Sequence, residues 1–91
     1  MRPYSMYLLL CADGTLYCGS TNDVPRRLSV HNSGKGAKYT KSRLPVTLVY
    51  CEECGEKGDA LRREAEIKKL KRAEKLALVE KYLRKKDPPR G

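Results

Sequence analysis

The sequence contains no phenylalanine and no tryptophan. Its core must therefore come from twelve leucines, a few valines and alanines, and six tyrosines. It also lacks a long apolar run. The longest, Met6 to Ala12, is seven residues, whereas a membrane span needs about 20 and a secretory leader needs a longer apolar stretch behind a basic start. Neither secretion nor membrane insertion is expected, and a cytoplasmic protein is the default. There is no internal repeat and no linker. At 91 residues the chain is long enough for one domain at most.

Acid is scarce relative to base. Twenty Lys and Arg stand against 11 Asp and Glu, a net charge of +9. The imbalance is local. Residues 24–45 carry Arg26, Arg27, Lys35, Lys38, Lys41 and Arg43 with no acid between them. Such a cluster calls for a polyanion, and nucleic acid is the commonest one. Arg26, Lys35, Lys38, Lys41 and Arg43 are the expected phosphate contacts. Ser33, Gly34 and Gly36 would let the backbone approach a phosphate closely. The nucleotide-cradling pattern of Gly, four residues and Gly-Lys-Ser/Thr is missing. A membrane surface fits less well, because no apolar helix face opposes the bases. The later basic stretch, Lys68 to Lys86, alternates with Glu74 and Glu80 and reads as a solvated helix face.

Four cysteines lie at 11, 18, 51 and 54. Without a secretory signal they do not suggest a disulfide framework. Cys51 and Cys54 have the spacing of a zinc knuckle, but the Cys11–Cys18 interval is too wide for the partner pair. Cys11, Cys18 and Cys51 fall in apolar segments, so they read as small buried hydrophobes.

Apolar patterning predicts strands over Tyr4–Cys11, Thr15–Ser20 and Val46–Cys51. The first two are joined through an Asp13-Gly14 turn. The first strand is apolar on both faces and should be central and covered on both sides. A helix over Val24–His31 is capped by Asn22 or Asp23, with Pro25 in its first turn. Gly34 to Arg43 reads as a loop with at most one helical turn, and Glu52 to Gly58 as a polar turn. Asp59 to Lys86 contains no Gly or Pro and repeats apolar residues at helical spacing. One helix of 28 residues would be about 42 Å long, whereas twice the expected radius of gyration is only about 24 Å. A break at Lys71-Arg72 is therefore expected. The whole is a single α/β domain over residues 1–86, a three-stranded antiparallel sheet flanked by helices, with residues 87–91 as a disordered tail.

Set on this frame, Ser5-Met6-Tyr7 lies on the first strand and Tyr17-Cys18-Gly19 on its partner, nine residues apart. Arg27 and His31 share one helix face at i, i+4. Ala60-Leu61-Arg62-Arg63-Glu64 opens the last helical region. In this order and spacing the residues resemble the GIY-YIG nuclease family, and in particular its small stand-alone bacterial members. The resemblance runs from residue 4 to about 83. Ser5 and Met6 stand where the family name has Gly and Ile, Cys18 stands for the second Ile, and no asparagine follows Asn32.

The resemblance implies a metal-dependent endonuclease that hydrolyses phosphodiester bonds, in DNA ahead of RNA, with repair or recombination as a natural setting. It assigns catalytic roles to Tyr7, Tyr17, Arg27, His31 and Glu64. Glu64 would hold a single Mg²⁺ or Mn²⁺ ion. Arg27 would grip two phosphate oxygens through its planar fork. Tyr7 or Tyr17 would orient or deprotonate the attacking water, and His31 would relay a proton or hold the phosphate. A phenol needs nearby cations to act as a base at neutral pH. The second reading is a GIY-YIG scaffold that binds DNA or RNA without cutting it. No membrane partner is expected, and a monomer is favoured.

Overall fold

The computed structural model describes residues 2–86. Three strands form one antiparallel sheet: β1 (Tyr4–Leu10), β2 (Leu16–Thr21) and β3 (Thr47–Gly55). Their order is β2-β1-β3, so β1 is central as its two apolar faces require. Four helices complete the domain: α1 (Val24–Asn32), α2 (Lys38–Lys41), α3 (Lys57–Lys68) and α4 (Arg72–Lys86). The expected tail over 87–91 lies outside the described residues.

The β1–β2 turn forms for local reasons. Gly14 adopts φ +86°, a conformation open to glycine and costly for other residues. The Asp13 carboxylate accepts hydrogen bonds from the Thr15 backbone N–H at 3.1 Å and hydroxyl at 2.6 Å. Asp23 proves to be the cap of α1, accepting from the Arg26 N–H at 3.2 Å. The last residue of α1, Asn32, then pins the far end of the basic segment. Its side chain donates to the Val46 carbonyl at 3.0 Å and accepts from the Val46 N–H at 2.8 Å.

Two boundaries differ from the sequence reading. Glu52 to Gly55 is not a turn. It extends β3 and pairs with Tyr4 to Met6 of β1. The two acids are tolerated there because Glu53 is exposed and Glu52 has partners for its charge. Glu52 accepts from the Tyr50 hydroxyl at 2.6 Å and from Arg63 at 2.8 Å. The following helix starts at Lys57 rather than Asp59, held by a capping box between Glu56 and Asp59. The predicted helix break is present at residues 69–71. Glu74 secures the new start by accepting from the Lys71 N–H at 2.9 Å.

Alternation along β1 sends side chains to opposite faces. Met6 and Leu8 join Cys18, Val49, Ile67 and Val79 under α3 and α4. Tyr7 and Leu9 join Cys11 and Val46 on the other face, with Tyr17, Leu28 and Leu44 packed against them. Cys11 and Cys18 are thus buried hydrophobes on opposite faces of the sheet. Among the described residues no helix is long and apolar enough to cross a membrane.

Candidate active site

Tyr7 and Tyr17 must share a face, because Tyr7 pairs with Gly19 and Leu9 with Tyr17 across the two strands. Both rings meet His31 of α1 edge-on, with centroids 6.1 Å and 5.2 Å away. The Tyr7 hydroxyl lies 3.1 Å from His31 Nε2. His31 is fully buried, and its Nδ1 lies 2.8 Å from the hydroxyl of Thr40, which is also fully buried.

Two glycines make room for this cluster. A Cβ on Gly19 would sit 2.5 Å from the Tyr7 hydroxyl oxygen. One on Gly36 would sit 2.4 Å from His31 Nδ1 and 2.9 Å from the His31 Cα. The space beside Gly36 is therefore filled by the imidazole.

Arg27, Tyr17 and Glu64 all act electrostatically on the Tyr7 hydroxyl. Burial is the largest influence and pushes the Tyr7 phenol above its ordinary value; Arg27 opposes it, while Tyr17 and Glu64 reinforce it. The basic surroundings therefore do not leave a standing phenolate. Burial, then Arg27, holds His31 below its ordinary value, so its imidazole is neutral at pH 7.

Glu64 comes to the site from α3, on the opposite side of the sheet from α1. Where α3 crosses β2, the Cys18 thiol donates to the Glu64 carbonyl at 3.8 Å. Burial, with help from Glu64, pushes that thiol up to about 11, so it stays protonated and structural. The Glu64 side chain is only 16% exposed, and its Oε2 lies 2.7 Å from Lys68 Nζ.

The GIY-YIG catalytic domain family matches residues 3–77. The chain belongs to the GIY-YIG family. Its relatives are small. A UPF0213 protein of Streptococcus agalactiae is 52% identical over 80 residues, spanning 88% of this chain and 91% of its own. A UPF0213 protein of Halobacterium salinarum is 52% identical over 75 residues, spanning 82% and 97%. The solution NMR structure of a Bacillus halodurans UPF0213 protein superposes with a TM-score of 0.54 at 47% identity, covering 85% of this chain and 82% of that one. That of an E. faecalis protein gives 0.57 at 38% identity, covering 100% and 93%. A GIY-YIG domain is a nuclease-family domain, and a nuclease-like function follows from membership.

In this GIY-YIG chain the five residues singled out in the sequence come from four elements. Tyr7 is on β1, Tyr17 on β2, Arg27 and His31 on α1 and Glu64 on α3, and all of them touch or act on Tyr7. Of the basic residues, Arg26, Lys35, Lys38 and Lys41 are exposed. Arg43 is differently placed. Its Nε donates to Asp13 at 2.9 Å, its Nη1 to the Tyr39 carbonyl at 2.8 Å, and its guanidinium lies 3.9 Å over the Tyr39 ring. Asp13 thus neutralises one charge of the cluster, which the sequence reading treated as uncompensated. Tyr39 also packs on Tyr17, with centroids 5.9 Å apart.

The sequence reading missed Thr40 and Lys68. For Lys68 a signal existed: Glu at i and Lys at i+4 is the favourable order on a helix. For Thr40 there was none.

The donor set bears on the implied metal. Among the described residues no group of three His, Cys, Asp or Glu side chains is placed to hold an ion. His31 has both ring nitrogens engaged. What remains is the hard oxygen donor Glu64. That fits Mg²⁺ or Mn²⁺, which keep several waters and are bound through one or two carboxylates plus substrate phosphate. Lys68 holds one oxygen of Glu64, so such an ion would compete with an ammonium for it.

Proposed function

We propose that this protein is a metal-dependent endonuclease that hydrolyses nucleic-acid phosphodiesters, DNA ahead of RNA, with repair or recombination as its setting. The observation that carries the reading is the convergence on one hydroxyl. Tyr7 is hydrogen-bonded to His31 and is acted on in opposite senses by Arg27 and Glu64.

The chemistry follows from the states of these groups. A buried phenol is a poor base alone, because burial disfavours its anion. Tyr7 instead has an acceptor for its own proton in neutral His31. As the attacking water gives a proton to Tyr7, Tyr7 gives its own to His31 Nε2, and no free phenolate is needed. Tyr7 is 2% exposed and His31 fully buried, so the transferred proton is kept from bulk water. Arg27 binds the phosphate and offsets its growing negative charge, two donors at a time. Tyr17 packs against His31 and holds the ring edge-on. Glu64 would hold the divalent ion, which when bound supplies positive charge to the phosphate and the leaving oxygen.

The test is incubation with labelled duplex, branched and single-stranded DNA and with RNA, with and without Mg²⁺ or Mn²⁺. Cleavage only with the metal supports the reading, and the panel ranks DNA against RNA. Binding without cleavage of any member would favour the scaffold reading instead.

Binding itself should be electrostatic. If about five phosphates are neutralised, log affinity should fall against log salt with a slope of roughly −4 to −5. Reversing charge at Lys35, Lys38 and Lys41, all exposed, should weaken binding to every sequence alike and flatten that slope by about 3. Fluorescence anisotropy across a salt series measures both. An unchanged slope would place the nucleic acid elsewhere.

A further inference from the structure

Thr40 is a fully buried polar side chain within the one-turn helix α2, flanked by the exposed Lys38 and Lys41. A hydroxyl has one proton to give. Thr40 gives it to the Ala37 carbonyl at 3.0 Å. Its oxygen can then only accept from His31 Nδ1, 2.8 Å away. In that arrangement Nδ1 carries the ring proton. In a neutral imidazole that leaves Nε2 bare, and the Tyr7 hydroxyl 3.1 Å away is its donor. The chain of bonds has one direction: Tyr7 to His31, His31 to Thr40, Thr40 to Ala37.

The other tautomer breaks this chain twice. The Thr40 hydroxyl would have to turn from the Ala37 carbonyl to donate to Nδ1, and Nε2 would donate to Tyr7 and could take nothing from it. Turning the ring over would put carbons where Nδ1 and Nε2 now sit and lose both hydrogen bonds.

We propose that Thr40 is a positioning residue that locks His31 in the Nδ1–H tautomer, so that Nε2 is free to take the Tyr7 proton. The proposal rests on the nuclease reading and adds a residue to it. In the step it serves, the water oxygen bonds to phosphorus and the bond to the leaving oxygen breaks. One water proton passes to Tyr7 as the Tyr7 proton passes to Nε2. The leaving oxygen takes a proton from solvent, and the imidazolium later returns one, which closes the balance. Burial and Arg27, which keep His31 uncharged before the step, make the tautomer matter.

His31 is the sole histidine, so a ¹⁵N-histidine-labelled full chain gives one imidazole spectrum. Wild type should show a protonated Nδ1 and a bare Nε2. Thr40→Ser keeps the hydroxyl and should keep that spectrum and full turnover. Thr40→Val keeps the shape, removes the acceptor and should shift the ring towards Nε2–H. It should lower turnover at saturating substrate about 10²-fold with DNA affinity unchanged. A bare Nδ1 in a wild type that cuts would overturn the Thr40 assignment alone. So would Thr40→Val turning over as wild type. If that variant does not fold, the wild-type and Thr40→Ser spectra still decide the tautomer. A wild type that cuts no substrate overturns the nuclease reading, and the relay with it.

Discussion

Glu64→Gln should reduce cleavage by about 10³-fold or more while DNA affinity stays the same or rises slightly. The substitution keeps the size and hydrogen-bonding capacity of the side chain and removes its charge. The Glu64 side chain is 16% exposed, and it is the acid that acts on Tyr7. Without its charge a divalent ion has no anionic protein ligand at the site. The nucleic acid, by contrast, loses a repulsive carboxylate. The fold should barely notice. Lys68, the partner left behind, is 56% exposed and returns to water, and an i,i+4 helix pair contributes only about 0.3–0.5 kcal/mol. Single-turnover cleavage with Mg²⁺, anisotropy binding and a thermal melt separate the three effects. A variant that cuts normally, or a wild type that cuts equally in EDTA, would remove the one-metal mechanism. The variant also controls for a contaminating nuclease, whose activity would survive the substitution.

What the sequence makes legible is what depends on local pattern. The two apolar faces of Tyr4–Leu10 place β1 in the centre. The period of two and the short turn put Tyr7 and Tyr17 on one face. The i, i+4 step puts Arg27 and His31 together. What it hides depends on pairing over distance. Glu52-Glu53-Cys54-Gly55 reads as a turn by composition, yet the start of β1 needs backbone partners there, and Tyr50 and Arg63 satisfy Glu52. Gly58 reads as a breaker, yet the capping box from Glu56 carries the helix through it. Thr40 is hidden most deeply. Its role exists only because residues 33–40 fold back across α1, and nothing in a run of Lys, Gly and Tyr marks one threonine as buried. Arg43 looked like one more phosphate contact, and only its meeting with Asp13 and Tyr39 shows that it also ties the basic segment to the hairpin turn.

The second large effect should come from a single methyl group. Gly19→Ala should lower turnover about 10²-fold or more and destabilise the protein by about 1–3 kcal/mol. The cause is steric, since Gly19 is not among the positive-φ glycines. Its new Cβ would lie 2.5 Å from the Tyr7 hydroxyl oxygen and 2.7 Å from Cζ. The end of a side chain can usually move aside, but this one has nowhere to go. The ring is 2% exposed and packed with Leu9, Cys11 and Val46, and its hydroxyl is bonded to a His31 that Thr40 and Gly36 hold in place. Either the edge strand β2 lifts, or Tyr7 leaves His31, and each outcome misplaces the reacting hydroxyl. Gly14→Ala is the matched control. Gly14 has φ +86° with nothing within 4 Å of the added Cβ, so alanine there costs about 1–2 kcal/mol of backbone strain in the β1–β2 turn, with no contact to Tyr7 or His31. Urea denaturation should find the two variants comparably destabilised, while cleavage should be lost in Gly19→Ala and kept in Gly14→Ala. Equal turnover in the two would mean that the Tyr7–His31 contact does not set the rate.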